Sequence, residues 1–355
     1  MVDHPLAEIS NLAIVVAIVL YVLALIGFAA DLASSTQRRS DARLNSEHTE
    51  APSATHPVVA SVGGAPEDGI PPRAPGGPVL TTAAPPRTVP RSMSSQKFAF
   101  LVAGAGTLAH IAGVGLRAAA TQRVPWANMY EFATTSAALV MLLFLIFSNT
   151  RRELRLLGTF VVGAILLLMF LAQTFWIVPA AALTPSLQNS HWLIVHIGVA
   201  VLATALSILG ALVASLQLVQ ARDEKSRADR SASGDEHIEH RGRIGATLDR
   251  LPVSRVLETL SFRVHSVAFV CWTFTLICGS IWAREAWGRY WGWDPKEVWT
   301  FVIWVLYAAY LHARATGGFR RNRAAGLALA GFVAVVFNYT IVNTVINGLH
   351  SYSGL

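Results

Sequence analysis

The segment 282–299 holds the densest set of residues in this sequence that could act chemically. It reads WAREAWGRYWGWDPKEVW and contains five of the ten tryptophans of the chain, together with Tyr290. One or two tryptophans at a helix end are typical of a membrane interface, where amphipathic rings lie at headgroup level. Five in one segment, interrupted by glycines and charged residues, instead indicate a flat, polarisable surface for a large planar ligand. The predicted contact residues are Trp287, Trp291, Trp293, Asp294 and Trp299.

Two histidines stand at the ends of apolar runs that lie on either side of this segment. His196 occurs in HWLIVH near the start of one run, and His350 occurs in NGLHSY just beyond the end of another. Imidazole is a frequent ligand of haem iron, and two imidazoles could bind one iron from opposite faces of a porphyrin. We therefore predict that His196 and His350 are metal ligands. His191, which begins the same run, competes with His196 for this role.

Two further ionisable residues are candidates with a structural alternative. His312, in YLHAR, lies inside an apolar run, where an ionisable side chain is costly and by default functional. It equally fits an interfacial residue beside Arg314. Glu131 follows Asn128 by three residues, a spacing typical of a reciprocal helix cap. Glu131 equally fits a residue that lines the ligand site together with Trp126.

The remaining polar residues of the apolar runs are interpreted as structural. His110 has small apolar neighbours, so we predict a packed, hydrogen-bonded side chain. His265 lies near the start of its run and is interpreted as interfacial. Cys271 and Cys278 lie about 10 Å apart along a helix, too far for a disulfide, and are expected to be small packing residues.

The elements that position these residues must be membrane-spanning helices. The chain is 53% hydrophobic and 14% charged, with a mean hydropathy of +0.47, whereas soluble domains are about a quarter charged. About 20 apolar residues cross the hydrocarbon core as a helix, which satisfies its own backbone. The sequence predicts an all-α polytopic integral membrane protein. Its eight transmembrane helices are expected near 11–30, 97–116, 129–147, 154–170, 191–218, 264–282, 298–313 and 324–346.

The basic residues predict the orientation of these helices. Of the 28 lysines and arginines, 23 fall in the even-numbered segments between the spans, which is the positive-inside pattern. Both termini and the tryptophan segment 282–299 are therefore predicted outside. The net charge of +7 is explained by topology, so no nucleic-acid partner is expected. The first span lacks a basic residue before it and is interpreted as a retained helix, not a signal peptide.

Two polar segments divide the chain. The segment 34–96 is rich in Pro, Ala, Gly, Ser and Thr and is predicted to be a disordered cytoplasmic linker, because it lacks apolar surface to bury. It separates an N-terminal transmembrane helix, 1–33, from a seven-helix domain, 97–355. A second cytoplasmic linker is expected near 221–255.

The sequence WGRYWGWDPKEVW resembles the WWD motif of haem-handling proteins of cytochrome c maturation. The region 97–355 as a whole resembles the CcsA family of system II, called ResC in Gram-positive bacteria and often CcsB in actinobacteria. The supporting sequences are WANMYEF at 126–132, LQNSHWLIVHIG at 187–198, YLHAR at 310–314 and GLHSYSG at 348–354.

The resemblance implies a function and a set of roles. His196 and His350 would ligate haem b, the transported substrate, on the outer face of a bacterial cell membrane, and His312 would serve a second haem site deeper in the bilayer. The chain would belong to a haem lyase complex that attaches haem to the CxxCH of apocytochrome c. A ResB-type membrane protein and a thioredoxin-like thiol reductase are the implied partners.

Three other functions remain compatible with the residues. A haem exporter that never contacts apocytochrome shares the tryptophans and histidines. A non-haem scaffold subunit for a ResB-type partner shares the topology. A small-molecule transporter with an aromatic loop is disfavoured, because it calls for broken, repeat-related helices and a mid-membrane ionisable network that the sequence does not clearly show.

Overall fold

The computed structural model describes residues 2–49, 94–181, 190–233, 243–316 and 321–350. Within these ranges the chain forms α-helices, loops and one short 3-10 turn, Arg152–Leu157, and no β-strand. The α-helices are α1 (His4–Thr49), α2 (Ser95–Thr121), α3 (Met129–Thr150), α4 (Gly158–Phe175), α5 (His191–Ala232), α6 (Arg243–Leu248), α7 (Ser254–Trp287), α8 (Pro295–Ala315), α9 (Arg321–Tyr339) and α10 (Ile341–Thr344).

Eight helical segments of the described residues are long and apolar enough to cross a membrane. This confirms the prediction of an all-α polytopic membrane protein. The segments are His4–Ala33, Ser95–Thr121, Met129–Thr150, Glu153–Phe175, His191–Ala232, Ser254–Trp287, Pro295–Ala315 and Asn322–Thr344. The orientation of the termini stays a prediction. The membrane helices belong to one compact unit, Met1–Thr36 with Ser94–Leu355, and Gln37–Met93 form a separate unit.

Two helices extend into segments that the composition assigned to linkers. Helix α1 continues to Thr49, beyond residue 33, where the predicted N-terminal segment 1–33 ends. Helix α5 continues to Ala232, because polar side chains there find partners. Arg227 pairs with Asp223 one turn earlier, and its other nitrogen lies 2.8 Å from Asp249. The rest of the first linker, 50–93, and residues 234–242 of the second lie outside the described residues.

The core of the membrane unit is built around α5 and α7, which pack along most of their shared length. Small residues allow this close approach, as in other membrane helix pairs. Gly210 on α5 is one of them, since a Cβ there would lie 2.4 Å from the ring of His265 on α7. A buried hydrogen bond of 3.1 Å from Trp272 Nε1 to Ser207 Oγ also joins the two helices.

Two histidines lie in this core. His110 is fully buried and its Nδ1 lies 3.3 Å from the Tyr21 hydroxyl on α1, which confirms the prediction of a packed, hydrogen-bonded side chain. The interfacial interpretation of His265 is wrong. Its side chain is fully buried, and its Nδ1 donates to the Ser261 carbonyl at 2.8 Å. Cys271 and Cys278 are buried free thiols, as expected.

Candidate functional site

The tryptophan segment folds as two helix ends joined by a short loop. Helix α7 ends at Trp287, followed by Gly288 with φ +75°, the left-handed conformation that suits glycine at a helix C-terminus. Helix α8 begins at Pro295 after the N-cap Asp294. Glu297 closes the loop, because one of its carboxylate oxygens accepts the backbone N–H groups of Gly292 at 2.8 Å and Asp294 at 3.1 Å. The Glu297 carboxylate therefore fixes the backbone of this loop.

A cavity of about 1220 Å³, counting its open mouth, lies beside this loop. Ligand pockets are mostly apolar with a few convergent polar groups. This cavity has that character, since aromatic and aliphatic side chains form most of its wall. The residues that bear on its chemistry are Trp126, His196, Trp282, Trp291, Lys296 and His350.

His196 is held in one orientation by α7. Its Nδ1 donates to the carbonyl of Thr275 at 2.9 Å, because a carbonyl oxygen only accepts. Its ring stacks on Trp282, with a centroid separation of 6.0 Å and an interplanar angle of 12°. Gly279 makes room for the ring, since a Cβ there would lie 2.7 Å from His196 Cε1. The Nε2 atom has no hydrogen-bond partner among the described residues and keeps its lone pair for a ligand.

His350 is held by Asp294, the acidic residue of the tryptophan segment. Its Nδ1 lies 2.8 Å from Asp294 Oδ1, and the backbone N–H of Leu349 donates to Asp294 Oδ2 at 2.6 Å. Burial by itself raises the pKa of the Asp294 carboxyl, but hydrogen bonds from His350 and Leu349 outweigh burial and lower that pKa below its usual value. Asp294 is therefore an anion that accepts a hydrogen bond from Nδ1–H of His350, as in carboxylate–histidine–metal sites.

The two histidines meet at one indole. Trp282 lies 6.0 Å from the ring of His196 and 5.7 Å from the ring of His350, measured between centroids. Both imidazoles line the same cavity, and in the described part of the chain neither Nε2 has a hydrogen-bond partner. His196 and His350 are therefore the residues that would hold the metal of a planar metallated ligand in this cavity.

The predicted tryptophans are not all in the cavity wall. Trp291 lines the cavity, whereas Trp287 packs behind His350 at 4.8 Å between ring centroids. Trp299 packs on Phe337 of α9 at 4.2 Å. Trp293 is 78% exposed and has φ +59°, which is uncommon for a bulky residue. Within the segment, Trp291 therefore forms cavity wall, Trp287 supports His350 and Trp293 is exposed.

Glu131 is not in the cavity lining, although its neighbours Asn128 and Met129 are. Its backbone N–H donates to Asn128 Oδ1 at 2.9 Å, so the expected N-cap is present. Its carboxylate does not return to the cap but forms ion pairs with Arg117 at 3.1 Å and Arg123 at 2.7 Å. It also accepts the N–H of Ala127 at 2.9 Å. This network fixes the loop whose Trp126 lines the cavity, and sequence reasoning missed both arginines.

His312 and His191 lie apart from the cavity lining. His312 is exposed, 17 residues along α8 from Pro295, or about 25 Å at the helical rise. It therefore does not join His196 and His350, and a second site at His312 stays a prediction. His191 is also exposed, at the first position of α5. Of the two competing histidines, His196 is the one that lines the cavity.

Fold and site together define an all-helical, multi-pass membrane protein that carries two pre-oriented imidazoles in an aromatic-walled cavity. Residues 126–350 match the profile of the family described as Cytochrome C assembly protein. This range includes both histidines and the whole tryptophan segment. The chain belongs to this family, which confirms the resemblance seen in the sequence.

Similar proteins carry the name cytochrome c biogenesis protein CcsA. The protein from Parasynechococcus marenigrum strain WH8102 is 37% identical over 179 residues, covering 49% of this chain and 58% of the relative. That from Guillardia theta is 38% identical over 176 residues, covering 50% and 58%. That from Heterosigma akashiwo strain CCMP452 is 33% identical over 253 residues, covering 65% and 77%. The chain thus spans under three fifths of the first two relatives.

Proposed function

We propose that this chain acts in cytochrome c biogenesis by binding haem between His196 and His350 and presenting it to apocytochrome c. The observation that carries the proposal is the pair of imidazoles in one cavity, each with Nδ1 hydrogen-bonded to an acceptor and with no partner for Nε2 among the described residues. Family membership supports the same function, and the name of the CcsA relatives refers to cytochrome c biogenesis.

The chemistry asked of the protein in this proposal is modest. The two imidazoles supply axial ligation, and the indoles hold the macrocycle so that its vinyl groups stay accessible. The histidine of the apocytochrome CxxCH then replaces one axial ligand. Each cysteine thiol adds across one vinyl group, with sulfur bonding to one carbon and the thiol proton passing to the other. Orientation and ligation are the contributions of the protein, while the bond-forming groups belong to haem and apocytochrome.

The wider setting is also part of the proposal. The positive-inside pattern supports a haem site on the outer face of a bacterial cell membrane, with both termini outside. Haem b would be the substrate, and His312 would serve a second, inner haem site, whose other ligand comes from a ResB-type partner. A thioredoxin-like reductase would keep the apocytochrome thiols reduced.

The test is an absorption spectrum of the full chain, co-purified with its ResB-type partner, for wild type and for His350→Ala. The expected result is a six-coordinate bis-histidine haem spectrum in wild type that is lost or altered in the variant. A colourless wild-type complex from haem-replete cells would point to the scaffold function instead. A haem spectrum indifferent to His350 would place the haem elsewhere.

The exporter alternative is separated by a second measurement on the same preparation. Apocytochrome c with an intact CxxCH is expected to co-purify with the haem-loaded complex, because its histidine must reach the iron. A complex that binds haem through both histidines but never retains apocytochrome, and supports no holocytochrome c formation in cells, would favour export without attachment.

A further inference from the structure

Lys296 is the one lysine in the lining of the cavity, within the described residues. It occupies the first turn of α8 and is partly buried. Its Nζ donates to the carbonyl of Asn338 on α9 at 2.9 Å and to Asn343 Oδ1 on α10 at 2.8 Å. An ammonium group has three donors. Two neutral oxygens therefore occupy two of them, and the third is left for a ligand.

The carboxylates near Lys296 form their direct hydrogen bonds and ion pairs with other groups. Asp294 receives His350 and the backbone of Leu349. Glu297 receives the backbone of the loop, and its second oxygen lies 3.8 Å from Arg289. Among the described residues, no carboxylate lies within ion-pair distance of Lys296 Nζ. Asp294 interacts electrostatically with Lys296 but forms no ion pair with it. Removing an ammonium from bulk water without a directly paired counter-charge is costly, so an anion in the cavity would complete the pairing.

We propose that Lys296 binds a carboxylate group of the ligand in this cavity, which under the proposed function is a haem propionate. Lys296 and His196 line the same cavity, so one ligand can contact both. A lipid phosphate would satisfy the same charge. It would leave unused the two imidazole Nε2 atoms and the indole wall of the cavity, which favours the carboxylate of a planar, metallated ligand.

This contact would set the rotation of the macrocycle about the axis that joins the two histidines. Axial ligation alone leaves that rotation free. A carboxylate held at the junction of α8, α9 and α10 places the propionate edge of haem against these helices. The opposite edge, which bears the vinyl groups, then faces away from them. Lys296 is thus a positioning residue that presents the reactive edge.

The test compares haem with its dimethyl ester, in which both propionates are neutral. The full chain is placed in nanodiscs of zwitterionic lipid, so that no anionic headgroup competes, and each ligand is titrated by absorbance. Wild type is expected to prefer haem over the ester by roughly tenfold or more, the worth of one charge-assisted hydrogen bond. Lys296→Met is expected to lose that preference while binding the ester as wild type does. Lys296→Arg keeps the charge and is expected to retain most of the preference.

The outcomes separate this inference from the proposed function. Equal binding of haem and ester by wild type would overturn the role of Lys296 whatever the variants do. An unchanged preference in Lys296→Met would also overturn it, and so would an equal loss of both ligands, which would show a structural role of its bonds to Asn338 and Asn343. If wild type binds both ligands well without preference, haem binding stands and only the lysine contact fails. If it binds neither, both proposals fail.

Discussion

Replacing Asp294 with asparagine is expected to weaken haem binding by loosening His350. Asp294 accepts hydrogen bonds on both oxygens: Oδ1 from His350 and from the backbone of Lys296 at 3.0 Å, and Oδ2 from Leu349. An asparagine oxygen can keep either set, but its NH₂ group then faces a donor on the other side. The remaining bond to His350 also loses its ionic character.

The magnitude follows from these contacts. A buried donor left without an acceptor costs about 1–3 kcal/mol, and loss of an outer-shell partner of a metal-binding histidine costs roughly 10–100-fold in affinity. We therefore expect Asp294→Asn to lower haem affinity by about 2 kcal/mol, or roughly thirtyfold. The N-cap of α8 is not the cause, because asparagine caps helices as well as aspartate does.

The assay is an absorbance titration of the full chain with haem, and the matched control is Asp3→Asn. Asp3 also caps a helix, since its Oδ1 accepts the N–H of Leu6 at 3.0 Å at the start of α1. The control is expected to bind haem as wild type does. Equal affinity and identical spectra for wild type and Asp294→Asn would refute the conclusion that Asp294 positions His350.

The same residue predicts the pH dependence. Because the folded pKa of Asp294 is lowered, its stabilising contribution is fully present above the ordinary carboxyl pKa of about 3.9. That contribution is lost as pH falls through the lower folded value. We therefore expect that protonation of Asp294 does not lower wild-type haem affinity between neutral pH and about pH 4. If haem affinity declines from near neutral pH in both wild type and Asp294→Asn, the titrating group responsible is not Asp294.

Three more predictions test other parts of the structure. Gly279→Ala is expected to displace His196 and abolish the bis-histidine haem spectrum, while circular dichroism shows unchanged helix content. Gly104→Ala is the control, because a Cβ there meets open space. An unaltered haem spectrum in Gly279→Ala would contradict the close packing of His196 on Gly279. Glu131→Gln leaves two buried arginines poorly matched and is expected to cost about 3–5 kcal/mol, lowering the thermal midpoint in detergent; an unchanged midpoint would argue against the network. His312→Ala is expected to leave the spectrum of the haem bound by His196 and His350 unchanged, because about 25 Å of helix separates it from Pro295; loss of that spectrum would place it in the same site.

The helices were predictable from the sequence because the bilayer sets their length. Apolar runs near 20 residues mark the spans without tertiary information. The extensions of α1 and α5 were missed, since hydropathy is blind to polar residues that prolong a helix through pairs such as Arg227 with Asp223. The fully buried His265 was missed because Gly210, its neighbour on α5, lies 55 residues away in sequence.

The site was predictable in its residue types and less so in its geometry. His196 and His350 could be placed near the tryptophan segment because alternating spans bring their helix ends to one side. The partners that orient them could not be found, because the Thr275 carbonyl and the gap at Gly279 depend on the rotation of α7. Trp299 turns to α9 because of the rotation of α8, and Trp291 faces the cavity because of the path of the loop before α8. Neither can be read from the sequence.

The two histidines are held by different contacts, so their side chains differ in how easily they can be displaced. His196 sits within a long helix and is tied to the backbone of another, so its displacement requires relative movement of α5 and α7. His350 sits beyond α10, on a segment that hydrogen-bonds to Asp294, and its ring packs against Trp282 and Trp287. Under the proposed function, a ligand that competes for an iron shared by the two histidines would therefore displace His350 more readily than His196.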